Sequence, residues 1–144
     1  MIKEIVVSII ATFGFGIIFN IKGKNLVFAS LGGGLGWLVY KLSLTHSNSG
    51  TLALFISSII FSAYSEILAR ILKSPVTTFI ICALIPLVPG GGMYYTMYEI
   101  VQGNIDKSLE LGLNTLASAG TLALGIIFVS SITRIIISPK PRKT

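Results

Sequence analysis

The sequence predicts an all-α fold: a polytopic membrane bundle of about five transmembrane helices, the fourth interrupted at Pro86–Gly92. Three observations carry this. Charged residues make up 11% of the chain and hydrophobic ones 53%, whereas a soluble domain carries about 25% charged residues. The mean hydropathy is +0.87. The charged residues are also segregated, leaving apolar runs close to the roughly 20 residues that cross a bilayer core about 30 Å thick. One cysteine and one histidine exclude a disulfide framework and any multi-thiolate or His-cluster metal site. No cofactor is expected.

Each span has its own signature within one membrane domain, 1–144. The first, about 5–21, follows Lys3 and is succeeded by Asn20-Ile21-Lys22-Gly23-Lys24. No small-x-small cleavage site follows it, so a retained helix is expected rather than a signal peptide. Ser8, Thr12, Gly16 and Asn20 form one stripe along it. The second, about 25–41, carries Gly32-Gly33-Gly34-x-Gly36, and Lys41 at its end can snorkel to the headgroups. Thr45–Gly50 reads as polar loop chemistry. The third, about 51–72, places Ser58, Ser62, Ser65, Glu66 and Ala69 on one face. The fourth, about 75–99, contains the break. Gln102–Glu110 reads as a nine-residue hydrophilic loop or short surface helix. The fifth, about 111–134, carries Asn114, Ser118, Thr121 and Gly125 at helical spacing. Small and hydroxylic residues mark helix-packing faces in lipid. Plain packing and a shared polar path through the bundle both fit these stripes.

Five spans place the termini on opposite sides. Lys3, Lys41 and Lys107 fall on the N-terminal side, three in all. Lys22, Lys24, Arg70, Lys73, Arg134, Lys140, Arg142 and Lys143, eight in all, fall on the other. The positive-inside rule then puts the N-terminus outside and the C-terminus in the cytoplasm. The basic tail Ser138–Thr144 reads as a topology anchor near anionic lipid. It has no aromatic interleaving and no soluble fold attached, so nucleic acid is not expected as a partner.

Two features go beyond packing. Glu66 and Arg70 lie at i and i+4, within ion-pair reach on one helix. Ionisable groups in a span cost about 2.5–3.5 kcal/mol each on insertion scales, so they face protein or water. Glu66 is the candidate for proton or charge coupling, with Arg70 as its partner; a snorkelling Arg70 neutralised by Glu66 is the alternative. The second feature is Ile85-Pro86-Leu87-Val88-Pro89-Gly90-Gly91-Gly92. Each proline removes a backbone donor and clashes with the preceding turn, and irregular backbone at this depth survives only against protein or a water-filled cavity. Two half-helices, Ser74–Leu84 and Met93–Tyr98, would leave the amides of Gly91, Gly92 and Met93 at a positive dipole end, suited to a carboxylate. The expected substrate-binding residues are Pro86, Pro89, Gly90, Gly91, Gly92, Tyr94 and Tyr95. A simple proline kink, with the tyrosines in an interfacial belt, is the alternative.

The stretches Ser62-Ala63-Tyr64-Ser65-Glu66-Ile67-Leu68-Ala69-Arg70, Pro75-Val76-Thr77-Thr78-Phe79 and Ile85-Pro86-Leu87-Val88-Pro89-Gly90 resemble the threonine/serine exporter family, specifically its C-terminal membrane half. The resemblance covers nearly the whole chain, which looks like the separate small subunit of a split exporter. It implies proton-driven export of small hydrophilic metabolites, threonine or serine or a dicarboxylate such as succinate. It also implies a larger membrane subunit as partner and a bacterial-type inner membrane location. A self-assembling small-solute or ion channel, formed as a homo-oligomer, and a purely structural subunit of a membrane complex are the competing readings. An intramembrane enzyme is not expected, because no nucleophile is paired with a base.

Overall fold

The computed structural model describes residues 1–137; the expected basic anchor Ser138–Thr144 lies outside them. The described chain is all-helical. Its helices are α1 (Ile2–Ile18), α2 (Lys24–Ser47), α3 (Gly50–Ile71), α4 (Val76–Leu84), α5 (Gly90–Val101) and α6 (Ile105–Ile137), with a 3-10 turn at Ile85–Leu87 after α4. Helices α2, α3 and α6 are each long and apolar enough to cross a membrane. The α4–α5 pair, bent by 52° at its break, makes a fourth when counted as one span. Helix α1 has 17 residues, at the short end of the range of about 17–25 that spans a bilayer core.

The packing is inside-out relative to a water-soluble bundle. Ser57, Ser58, Ser62 and Ser65 are fully buried, while Ile67 and Ile71 on the same helix are 57% and 68% exposed. In α1 the buried residues are Ser8, Thr12 and Gly16, three positions of the expected stripe. Water would penalise this arrangement; lipid favours it, because close approach and hydrogen bonds hold helices together there. Thr12 packs directly on Gly33, and the Ser8 hydroxyl donates to the Gly33 carbonyl at 3.0 Å. Only a residue without a Cβ permits that approach. The α3–α6 contact follows the same rule, with Ser58 against Gly125. Two apolar clusters complete the interior: Ala29, Leu68, Ala69, Phe79 and Cys82, and Leu54, Phe61, Ala83, Leu87 and Leu122.

Several boundaries differ from expectation. Helix α2 continues through Thr45 and His46 to Ser47. The hydroxyls expected to make a loop instead bond back to helix carbonyls, Thr45 to Leu42 at 2.8 Å and Ser47 to Ser43 at 2.8 Å. The turn shrinks to Asn48, in the left-handed region, and Ser49, whose side chain caps α3. Lys41 therefore sits inside a helix and pairs with Glu4 at 2.9 Å instead of ending a span. Likewise Gln102–Glu110 is not a nine-residue loop. Only Gln102–Asn104 lie outside helices, with Gly103 at φ 80° making the turn, and Asp106, Lys107 and Glu110 belong to α6.

Candidate functional site

The break in the fourth span is short and lies before the glycines. Pro86 sits in the opening of the 3-10 turn Ile85–Leu87, where a missing N–H is tolerated. Val88 is extended, at φ −59° and ψ 130°, and Pro89 precedes the first turn of α5. The expected interruption over Pro86–Gly92 thus contracts to Val88–Pro89, and Gly90, Gly91 and Gly92 are helical. The physical reason is that a first turn needs no upstream acceptors, so the prolines end one helix and the glycines begin the next.

The local hydrogen bonds define what remains open. The Val88 N–H bonds to the Leu84 carbonyl at 3.1 Å, Gly90 to Val88 at 2.7 Å, and Met93 to Pro89 at 3.1 Å. Among the described residues the Gly91 and Gly92 amides take no such acceptor. Two of the three expected amides therefore stay unpaired, and Met93 does not. They lie at the N-terminus of α5, where the helix dipole is positive.

A cleft of about 470 Å³ opens beside this turn. The break supplies Pro86–Gly91 to its wall, α2 supplies Trp37 and Tyr40, the start of α3 supplies Gly50, Thr51 and Leu54, and α6 supplies Asn114, Ala117 and Ser118. Gly50 and Thr51 place the cleft toward the end of the bundle that holds the α2–α3 turn. The structure thus joins Pro86, Pro89, Gly90 and Gly91 to Asn114 and Ser118, although the sequence separates them by more than a helix.

Other expected site residues fall elsewhere. Gly92 packs on Thr115, away from the cleft lining. Helix α5 faces α6 through Gly92, Thr96 and the buried Glu99, one face at helical spacing. That pairing turns Tyr94 and Tyr95 outward, 64% and 57% exposed. Their ring centroids lie 5.3 Å apart, and Tyr94 stacks on Tyr98 at 6.3 Å. They form an external aromatic patch, not a wall of the cleft. Thr121 donates to the Ala117 carbonyl at 2.7 Å and lies outside the cleft as well.

Glu66 and Arg70 form a separate centre. Arg70 Nη2 lies 3.1 Å from Glu66 Oε2, and Nη1 donates to the Glu66 carbonyl at 3.1 Å. Glu66 is 8% exposed. It lies twelve residues beyond Leu54, the deepest α3 residue of the cleft, which is about 18 Å at 1.5 Å per residue. Between them stands Ser62, fully buried with its hydroxyl unpartnered among the described residues.

Sequence reasoning missed Trp37, Tyr40 and Thr51, because nothing local to α2 or α3 shows which side chains meet the break. It also missed Glu99. That carboxylate is 6% exposed, accepts from Asn104 Nδ2 at 2.7 Å and pairs with Lys107 at 2.6 Å. The turn residues between them were the available signal, since a three-residue reversal brings 99 beside 104 and 107.

No solved structure matches this chain with significance. The family model described as Threonine/Serine exporter, ThrE, matches residues 4–132. That match spans α1 through most of α6, including the break, the cleft walls and the Glu66–Arg70 pair, and the chain belongs to the threonine/serine exporter family.

Proposed function

We propose that the chain is the small five-span subunit of a split exporter, working with a larger membrane partner. In this reading it moves small hydrophilic carboxylates, threonine and serine foremost and a dicarboxylate such as succinate as the other class. One observation carries the site: Gly91, whose amide is unpaired at the start of α5, lines a cleft that also holds the hydroxyl, amide and aromatic side chains of Thr51, Ser118, Asn114, Trp37 and Tyr40 among apolar ones. The substrate carboxylate binds the Gly91 amide and the positive end of α5. Asn114, Ser118 and Thr51 take the hydroxyl or ammonium group, and Trp37 and Tyr40 form the wall. A cleft at a helix break is the arrangement that discontinuous helices provide in secondary transporters.

Glu66 lies too far away to touch a substrate held in the cleft. It serves as the proton or charge-coupling carboxylate of the cytoplasmic half, with Arg70 as its counter-ion. With the N-terminus outside, the cleft opens outward and Glu66 lies near the inner face. The family assignment supports transport in the exporter class, and the positive-inside distribution supports this orientation.

Proteoliposomes holding this chain with its larger partner test the reading. An imposed proton gradient should drive the movement of labelled threonine, serine or succinate across the membrane. A Cβ at Gly91 meets no atom within 4 Å, and Gly91 lines the cleft, so Gly91→Leu should obstruct the site and abolish flux at normal expression. Unchanged flux in that variant would sink the cleft as the substrate site. Gly92→Leu is a poor probe, because its side chain would strike Thr115.

A further inference from the structure

The chain has one tryptophan, Trp37, and it stands between two cavities. On one side is the cleft at the helix break. On the other is an apolar groove of about 380 Å³ between α1 and the Ile85–Leu87 turn, walled by Val7, Ala11 and Pro86 and ending at Lys3 and Glu4. Trp37 and Pro86 border both spaces, which places them at the shared boundary.

Trp37 is held there from α1. The indole N–H donates to Glu4 Oε2 at 3.2 Å, and the same oxygen accepts Lys41 Nζ at 2.9 Å. The Lys41 ammonium also lies 5.9 Å from the centroid of the Trp37 ring, within cation–π range. The N-terminal amine stands 4.0 Å from the other Glu4 oxygen. An indole has a single donor, and when partly buried it takes a partner; here that partner is a carboxylate on a different helix. Trp37 and Lys41 are one helical turn apart on α2, so one acid fixes both.

We propose that Trp37 is the size-setting wall of the substrate cleft and that Glu4, together with Lys41, is the positioning residue that holds it there. The proposal rests on the cleft being the substrate site. Glu4 touches no substrate; it acts through the indole. Removing the indole joins the cleft to the apolar groove through their shared border, and the enlarged space accepts a bulkier apolar side chain. Removing the acceptor leaves the indole in place but unlatched.

The single tryptophan makes the latch directly visible in the purified full chain, with no substrate present. Glu4→Leu should move Trp37 emission to longer wavelength and raise acrylamide quenching severalfold. Glu4→Gln, whose amide oxygen still accepts the indole N–H, should stay close to the parent. Equal behaviour of the Leu and Gln variants, or no shift in either, overturns the latch. In proteoliposomes with the larger partner, Trp37→Ala should admit labelled leucine and raise KM for serine severalfold with little change in kcat. Glu4→Leu, which keeps the tryptophan, should raise KM in the same direction. If leucine stays excluded and KM is unmoved in both variants while Gly91→Leu still blocks flux, the proposal falls and the cleft reading stands. If Gly91→Leu leaves flux intact, the cleft reading falls and the size-setting role falls with it, while the fluorescence result still reports on the latch.

Discussion

Glu66 and Glu99 show how differently two buried carboxylates are anchored. Glu66 shares its helix with its partner Arg70, so the pair was legible from the i, i+4 spacing alone. Glu99 is held by Asn104 and Lys107 across a turn, and no periodicity announces a contact that depends on the chain reversing at Gly103. The two should respond differently to neutralisation. Glu66→Gln should leave the fold intact in detergent and abolish proton-driven flux; flux equal to the parent would remove Glu66 from the coupling step. Glu99→Gln should loosen the α5–α6 hairpin, raising amide exchange across Gly90–Val101 relative to α3. Unchanged exchange there would show that the Glu99–Lys107 pair does not hold the hairpin.

At the scale of the elements, the glycines separate into two kinds that composition cannot distinguish. Gly33 is a contact glycine: Thr12 occupies the space a Cβ would need. Gly90 and Gly91 have nothing within 4 Å and lie in the first turn of α5. Gly33→Val should therefore destabilise the α1–α2 pair by about 1–3 kcal/mol, the usual cost of overpacking. Gly90→Ala should be neutral or stabilise by up to about 1 kcal/mol, because it reduces the freedom of the unfolded chain without meeting an obstacle. Thermal unfolding in detergent checks both, and equal effects at the two positions would contradict this division. The small-residue stripes of α1 and α3 were readable in advance because lipid rewards close approach and the spacing is helical. The end of α2 was not, because Thr45 and Ser47 satisfy their hydroxyls on helix carbonyls as readily as in a loop. The break was readable as a place but not in detail. Two prolines required an interruption, yet which residues unwind depended on Pro89 fitting just ahead of a helix start.

Across the whole molecule, the bundle divides its polar groups between two ends. The end with the N-terminus holds the cleft, the Glu4–Lys41–Trp37 cluster and the start of α3. The opposite end holds Glu66 and Arg70, and the buried serine face of α3 runs between them. This layout could not be read from the sequence, where the residues of the cleft come from four helices and from positions as distant as Trp37 and Ser118. The sorting of the basic residues by side rests only on the order of the spans and stands as an expectation. In the proposed reading the first end is an outward-facing binding cleft and the second an inner charge centre, with helix α3 running from one to the other.

That arrangement is tested most directly by a cysteine placed at Gly91. The native Cys82 is fully buried, which makes it a silent background for a membrane-impermeant thiol reagent applied to cells. A Gly91→Cys thiol should be modified from outside, and threonine or serine added at saturating concentration should slow that modification severalfold. Modification that is indifferent to every substrate, or that occurs only from the cytoplasmic side, would contradict the cleft as an outward-facing substrate site.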